Sequence, residues 1–412
     1  MKEREEIKKV WEKQPEKFPF FLQENPDIFP KIDLERKKEN ETFVQALSER
    51  LHKKFQQRPK EEERREQWER ELEQDLWDFL RKEKILFITE WMSEEKLEAF
   101  KREARRFVEQ VRGFDQTLNQ AQIWQALRNY FIYAILVDMQ GEEQNAGEPI
   151  LAYSLLYPYT DNYIDDERVS SREKERYNRM IALKLKGGNV LPQNPLEEKT
   201  CCLLDMIGKA YKETKRQKVE STLLQLLEAQ NCSIRQQKTE ITEAEILDIS
   251  IWKGSSSVLA DYLFSTENWL EREERFYLKF GFLLQLVDDL QDIEEDQKAG
   301  SRTLMTKAAE QKRLEQRVNR LLWFGWNVIR EFEPRNPELK GFVVKNCVEV
   351  TLFAASMNPQ FFSKEYLKTF EPYLPFTLEF LKKMKKKQKK SRYGIQIDGN
   401  NSVKQVVNSR NI

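Results

Sequence analysis

An all-α protein is what this sequence predicts, on three observations. Glycine and proline are scarce for a chain of 412 residues, at 13 and 14. Glu, Lys, Leu, Gln and Arg are abundant, and these straight-chain residues lose little rotamer freedom in a helix. Apolar residues recur at four-, four- and three-residue spacing through Trp68, Leu72, Leu76 and Phe79, whereas no stretch alternates convincingly and no internal repeat is present.

The bulk numbers narrow the function classes. Charged residues make up 34 %, yet 39 % hydrophobic and 11 % aromatic content still allows a sizeable core. Net charge is zero, which argues against a nucleic-acid binder. No segment reaches the roughly eighteen consecutive apolar residues of a membrane span, and the charged start MKEREEIKKVWEKQ has no apolar heart of a signal peptide. Cys201, Cys202, Cys232 and Cys347 lie in no zinc-type spacing, so they read as reduced thiols of a cytoplasmic protein. His52 is the single histidine. Histidine triads and multi-histidine metal sites are thereby excluded, and any metal should be a hard cation held by oxygen.

The elements follow in order. Residues 1–59, punctuated by Pro15, Pro19, Pro26, Pro30 and Pro59 with Phe18, Phe20, Phe21, Ile28 and Phe29 between them, read as an irregular charged extension lying on the main domain. In KEEERREQWERELEQDLWDFL, Trp68, Leu72, Leu76 and Phe79 fall on one helical face. Residues 94–111 predict another helix, and 120–139, apolar on most sides, a buried one. Residues 149–166 and 271–296 are apolar runs ending in acids, and 247–264 contains an internal KGSSS. Residues 198–227, 314–332 and 341–355 complete a bundle that occupies 60–381. From 382 to 412 the chain becomes a basic tail expected to be disordered.

Two acidic motifs carry the chemistry. In YPYTDNYIDDERVS, Asp161 and Asp165 are four apart and share a helix face, with Asp166 about 100° round the axis. In FGFLLQLVDDLQDIEED, Asp288, Asp292 and Asp296 form one stripe flanked by Asp289. Each motif follows a buried apolar run, and two antiparallel helices of this kind would set both clusters across one cavity. Crowded carboxylates repel one another unless a cation is present, and magnesium binds one or two of them while keeping water and substrate phosphate in its shell. A single DxxxD is usually a solvated face; two, each behind a buried run, are a stronger signal.

The second motif closely resembles that of trans-isoprenyl diphosphate synthases, through Phe280, Gly281, Gln285, Asp288, Asp289 and Asp292. Lys298, Gly300, Thr303 and Leu304 resemble that family's following segment with Lys and Gly exchanged in order, and the first motif looks like a DxxxD version of the family's first. The resemblance implies a class I terpenoid synthase-like helical bundle around a central apolar cavity, with three Mg2+ ions bridging carboxylates to a prenyl diphosphate. It places Asp161 and Asp165, with Asp166, on one side of the ions, and Asp288, Asp289, Asp292 and Asp296 on the other. WKGSS (252–256) resembles the family's lysine segment and the helix break of terpene synthases. Lys253 is thereby the diphosphate-binding candidate, with Gly254 and the serines interrupting the helix. Arg172, Arg176, Lys298 and Arg302 are weaker clamps.

The chain departs from the chain-elongating members. It has no GGKRxR segment, only Arg168 and the separated Arg172 follow the first motif, and no DxDD is present. The leading expectation is therefore a class I terpene synthase, a lyase that ionises one linear prenyl diphosphate before cyclisation or elimination. The alternatives are a prenyltransferase joining two isoprenoid diphosphates and a non-enzymatic helical interaction protein with a degenerate site. Aromatic cation-stabilising candidates are Tyr130, Phe131, Tyr153, Tyr157, Trp252, Tyr262, Phe282, Trp323 and Phe324, although ordinary core packing explains any one of them. In TLEFLKKMKKKQKK, lysines beside Leu378, Phe380, Leu381 and Met384 read either as a solvated tail or as a peripheral contact with an anionic, inner membrane surface. Oligomeric state is open, relatives often being homodimers.

Overall fold

Every regular element among the described residues is helical. The structure is a computed structural model that describes residues 2–394 except 60, 144–146, 167 and 239, with the side chains of 62, 66, 165 and 388–394 also outside the description. Nineteen α-helices and three short 3-10 turns are present in this part, and no strand.

The N-terminal region is α1 (Lys2–Glu12), α2 (Phe21–Glu24), α3 (Leu34–Gln56), α4 (Glu62–Lys82), α5 (Ile88–Trp91) and α6 (Glu94–Phe114). Residues 1–59, expected to be irregular, are thus largely helical. The prolines fall in the connections, and α1 pairs Ile7 with Trp11 one turn apart, so both are buried on the bundle. Three elements repeat the sequence expectation closely: α4, α6, and α7 (Gln120–Met139), whose start is fixed by an Asn119–Gln122 capping box.

The central helices are α8 (Glu148–Asp165), α9 (Ser171–Leu185), α10 (Pro195–Ala210), α11 (Glu213–Ser233), α12 (Glu243–Ser265) and α13 (Glu271–Gln291). The C-terminal set is α14 (Ile293–Ala299), α15 (Leu304–Glu310), α16 (Leu314–Glu331), α17 (Glu338–Met357), α18 (Lys364–Phe370) and α19 (Leu378–Gly394). The middle of the bundle is α12, which is buried on nearly all sides from Ile246 to Ser265, as a helix without a polar face must be. It packs most extensively on α13, and also on α11, α7 and α1.

The expected helix break at WKGSS is absent, because α12 runs through it. Gly254 serves packing instead. A Cβ there would collide with the carbonyl oxygen of Gly281 on α13 and meet Gln285 Cβ at 2.7 Å, and one on Gly281 would collide with the carbonyl of Gly254. Two facing glycines let the α12 and α13 backbones touch, and packing gains offset the helix-propensity loss of about 1 kcal/mol per glycine.

The start of the expected disordered tail is ordered as well. In α19, Leu381 is fully buried, and Leu378, Phe380 and Met384 pack against the core. The polar stretch 397–412 lies outside the described residues.

Candidate active site

The two acid-bearing helices, expected to be antiparallel to each other, run parallel because both lie antiparallel to α12. For α13 the register is given by Gly254 beside Gly281, by Ser255 Oγ donating to the Leu278 carbonyl at 2.7 Å, and by Tyr262 stacked on Tyr277 at 4.3 Å. For α8 it is given by Tyr153 stacked on Phe264 at 4.7 Å and by the Tyr157 hydroxyl 3.2 Å from Ser257 Oγ.

On the α13 side the geometry is explicit. Asp288 and Asp289 both lie within electrostatic reach of Lys253. The α13 helix ends at Gln291 and α14 starts at Ile293, but the Asp292 N–H still donates to the Asp288 carbonyl at 2.9 Å and the Asp296 N–H to the Asp292 carbonyl at 2.8 Å. The acidic stripe therefore survives the bend. Asn358, itself buried, holds the bend by donating from Nδ2 to the carbonyls of Leu290 at 3.0 Å and Gln291 at 3.2 Å.

These acids sit where negative charge is least welcome. Asp165, Asp288 and Asp289 fall in the last turn of a helix, where the unpaired carbonyls already place partial negative charge, and neither last turn carries a basic residue, whereas Asp296 lies in the first turn of α14. Burial raises the proton affinity of Asp288, opposed by Lys253 and Arg128. Burial raises that of Asp289 further, reinforced by Asp296 and Asp288. Asp289 Oδ1 accepts from Gln285 Nε2 at 2.8 Å, whereas its buried Oδ2 has no hydrogen-bond partner. Such a donor set suits a hard divalent cation. Among the described residues, however, no three acidic, histidine or cysteine side chains converge as a ready-made metal cage.

The remaining predicted residues divide. Asp166 has left the helix, with extended backbone (ψ 114°) instead of a place on the α8 face. It is held by Arg168, whose Nε and Nη2 lie 2.9 and 2.7 Å from its oxygens, and that hydrogen bonding lowers its pKa to about 2. The side chain of Asp165 lies outside the description. Arg176 is spent on buried Glu197 at 2.6 Å and on Gln193 at 2.7 Å. Arg172 is exposed on α9. Lys298 pairs with Glu294 at 2.9 Å, and Arg302 lies 3.5 Å from Glu310. Lys253, by contrast, acts on Asp288 and Asp289.

The aromatic candidates sort similarly. Tyr153 and Tyr157 lie along the path to Asp161. Phe282 and Phe324 pack against Trp11, Tyr130 against Phe107, Phe131 against Phe100, Trp323 against Phe21, and Tyr262 against Tyr277, while Arg4 covers Trp252 at 4.3 Å. An open surface groove of about 450 Å3 is lined by Arg235, Lys238 and Glu245, none of them a predicted site residue.

Two residues escaped the sequence reading. Arg128 on α7 acts on Asp288, and Asp261 on α12 is fully buried with one carboxylate oxygen unpartnered and the other bonded by Asn129. Both had a signal. Each is a charged residue inside an otherwise apolar run, LRNYFIYAILV and VLADYLF, where an unpaired charge is costly.

No protein-family profile matches the chain, and a search of curated proteins finds no match.

Proposed function

We propose that this protein is a magnesium-dependent class I terpene synthase that ionises a linear prenyl diphosphate. The observation that supports it most is that α8 and α13 run parallel and both end in acids, with Lys253 acting on Asp288 and Asp289. Asp161 and Asp165 on α8 would hold ions from one side, and Asp288, Asp289, Asp292 and Asp296 from the other. Magnesium, when bound, supplies the positive charge that makes diphosphate a competent leaving group. Lys253 and Arg128 would contribute fixed positive charge toward the same group, and Tyr153 and Tyr157 apolar ring faces beside it.

The experiment is product analysis by gas chromatography after incubating the protein with single C10 to C35 prenyl diphosphates and Mg2+, with and without isopentenyl diphosphate. Diphosphate release and a hydrocarbon or alcohol product are expected from one substrate alone, with Asp288→Asn at least about a hundredfold slower. Product only when isopentenyl diphosphate is added would replace the synthase by a prenyltransferase. No release from any substrate, with or without the substitution, would leave a non-catalytic helical protein.

A further inference from the structure

We propose that the outward face of α19 is a docking surface for the anionic headgroups of a lipid bilayer. The lysine run is divided by the helix repeat. Leu381 is buried, Leu378, Phe380 and Met384 pack inward, and Lys385 also turns in, with Nζ 3.0 Å from Glu294 Oε2 and 2.7 Å from Asn358 Oδ1. Lys382, Lys383, Lys386 and Lys387 are left exposed. The apolar residues that would otherwise insert into a membrane are thus consumed by the fold, and the contact rests on charge.

That charge is poorly compensated. Lys382 and Lys386 stand one turn apart, as do Lys383 and Lys387, an arrangement that destabilises an isolated helix by like-charge repulsion. The ion pair on this face is Lys383 with Glu379 at 2.6 Å. A layer of phosphates removes the repulsion. Lysine ammonium groups on flexible stems match laterally mobile headgroups, which ask for no fixed fork geometry. Lys385 and Asn358 tie α19 to the α13–α14 bend, so a bound bilayer would lie beside the element that carries Asp288 to Asp296. The docking itself does not depend on the proposed reaction.

The test is cosedimentation of the full chain with phosphatidylcholine vesicles and with vesicles of phosphatidylcholine plus phosphatidylglycerol, at low and high salt, with duplex DNA as competitor. Binding is expected on the anionic vesicles, weakened by salt. At about fivefold per lysine, K382Q/K383Q/K386Q/K387Q should weaken it about a hundredfold or more, while the matching four arginine substitutions retain it with an unchanged circular dichroism spectrum. Equal binding by the glutamine variant, equal binding to neutral vesicles, or tighter binding to duplex DNA than to anionic vesicles would overturn the proposal.

Discussion

Glu349 on α17 is a carboxylate whose surroundings set a pH dependence for the whole fold. Burial pushes its pKa up to about 7, opposed by Lys345, 3.9 Å away, and assisted by Glu83. Neither neighbour is free to rescue it. Glu83 accepts the backbone N–H groups of Ile85, Leu86 and Ile88, and Lys345 lies over the Phe87 ring at 3.6 Å. The folded state holds this proton more tightly than the unfolded chain does, so the contribution to stability is complete below an ordinary carboxylate pKa. It is lost as pH rises from about 4.5 to about 7, on the order of 3 kcal/mol in all. Glu349→Gln should flatten that fall and stabilise the protein at pH 8 by about 1–3 kcal/mol, read by urea unfolding at a series of pH values. A variant with the wild-type slope would mean that Glu349 is solvated. Asp115 has the opposite setting: Lys199, Thr117 and Tyr159 hydrogen-bond its carboxylate and outweigh burial, holding its pKa below the ordinary range. Asp115→Ala would leave those donors unsatisfied and cost about 2–4 kcal/mol at neutral pH, measured the same way.

At the scale of elements, the α12–α13 crossing governs the candidate site. Gly254→Ala or Gly281→Ala drives a methyl group into the facing backbone carbonyl, and backbone cannot yield as a flexible side chain can. Each is expected to destabilise the fold by about 1–3 kcal/mol and to shift Lys253 against Asp288. The check is calorimetry beside activity, in which unchanged melting would show that the helices separate at no cost. This crossing also marks what the sequence could reveal. Apolar content located α7, α12, α13 and α16, because burial imposes it directly. The glycine's role was not legible, since the same glycine fits a hinge or a close contact and the difference lies in α13, 27 residues away along the chain. The short α15 and α18 escaped for a related reason. Each is 7 residues long, too short to display a period. The acidic stripe Asp288–Asp292–Asp296 was legible because a four-residue spacing needs one helix only. The parallel directions of α8 and α13 were not, because they are set by other helices of the bundle.

At the scale of the whole molecule, the N-terminal segment is a built part of the bundle, and the sequence hid this because its anchors are few and set among charges. Trp11 is buried edge-on against Phe282 at 5.5 Å and Phe324 at 5.7 Å, with Arg317 and Arg320 flanking its ring. Glu16 then pairs with Arg313 at 2.9 Å and Arg320 at 3.0 Å, and Phe21 stacks on Trp326 at 4.8 Å. One short segment thereby fastens α13 to α16 while laying Arg4 over Trp252, the residue before Lys253. Removing it opens a cavity in the core and strands Arg320 without its acid. Trp11→Ala alone should cost about 3–5 kcal/mol, and a chain beginning at residue 34 should lose its cooperative thermal transition and expose apolar surface to a hydrophobic dye. Arg4→Ala, on the helix surface, should leave the melting temperature within a few degrees of wild type. If the chain from residue 34 melts as sharply and as high as the full protein, the segment is an appendage after all and α16 holds to α13 without it.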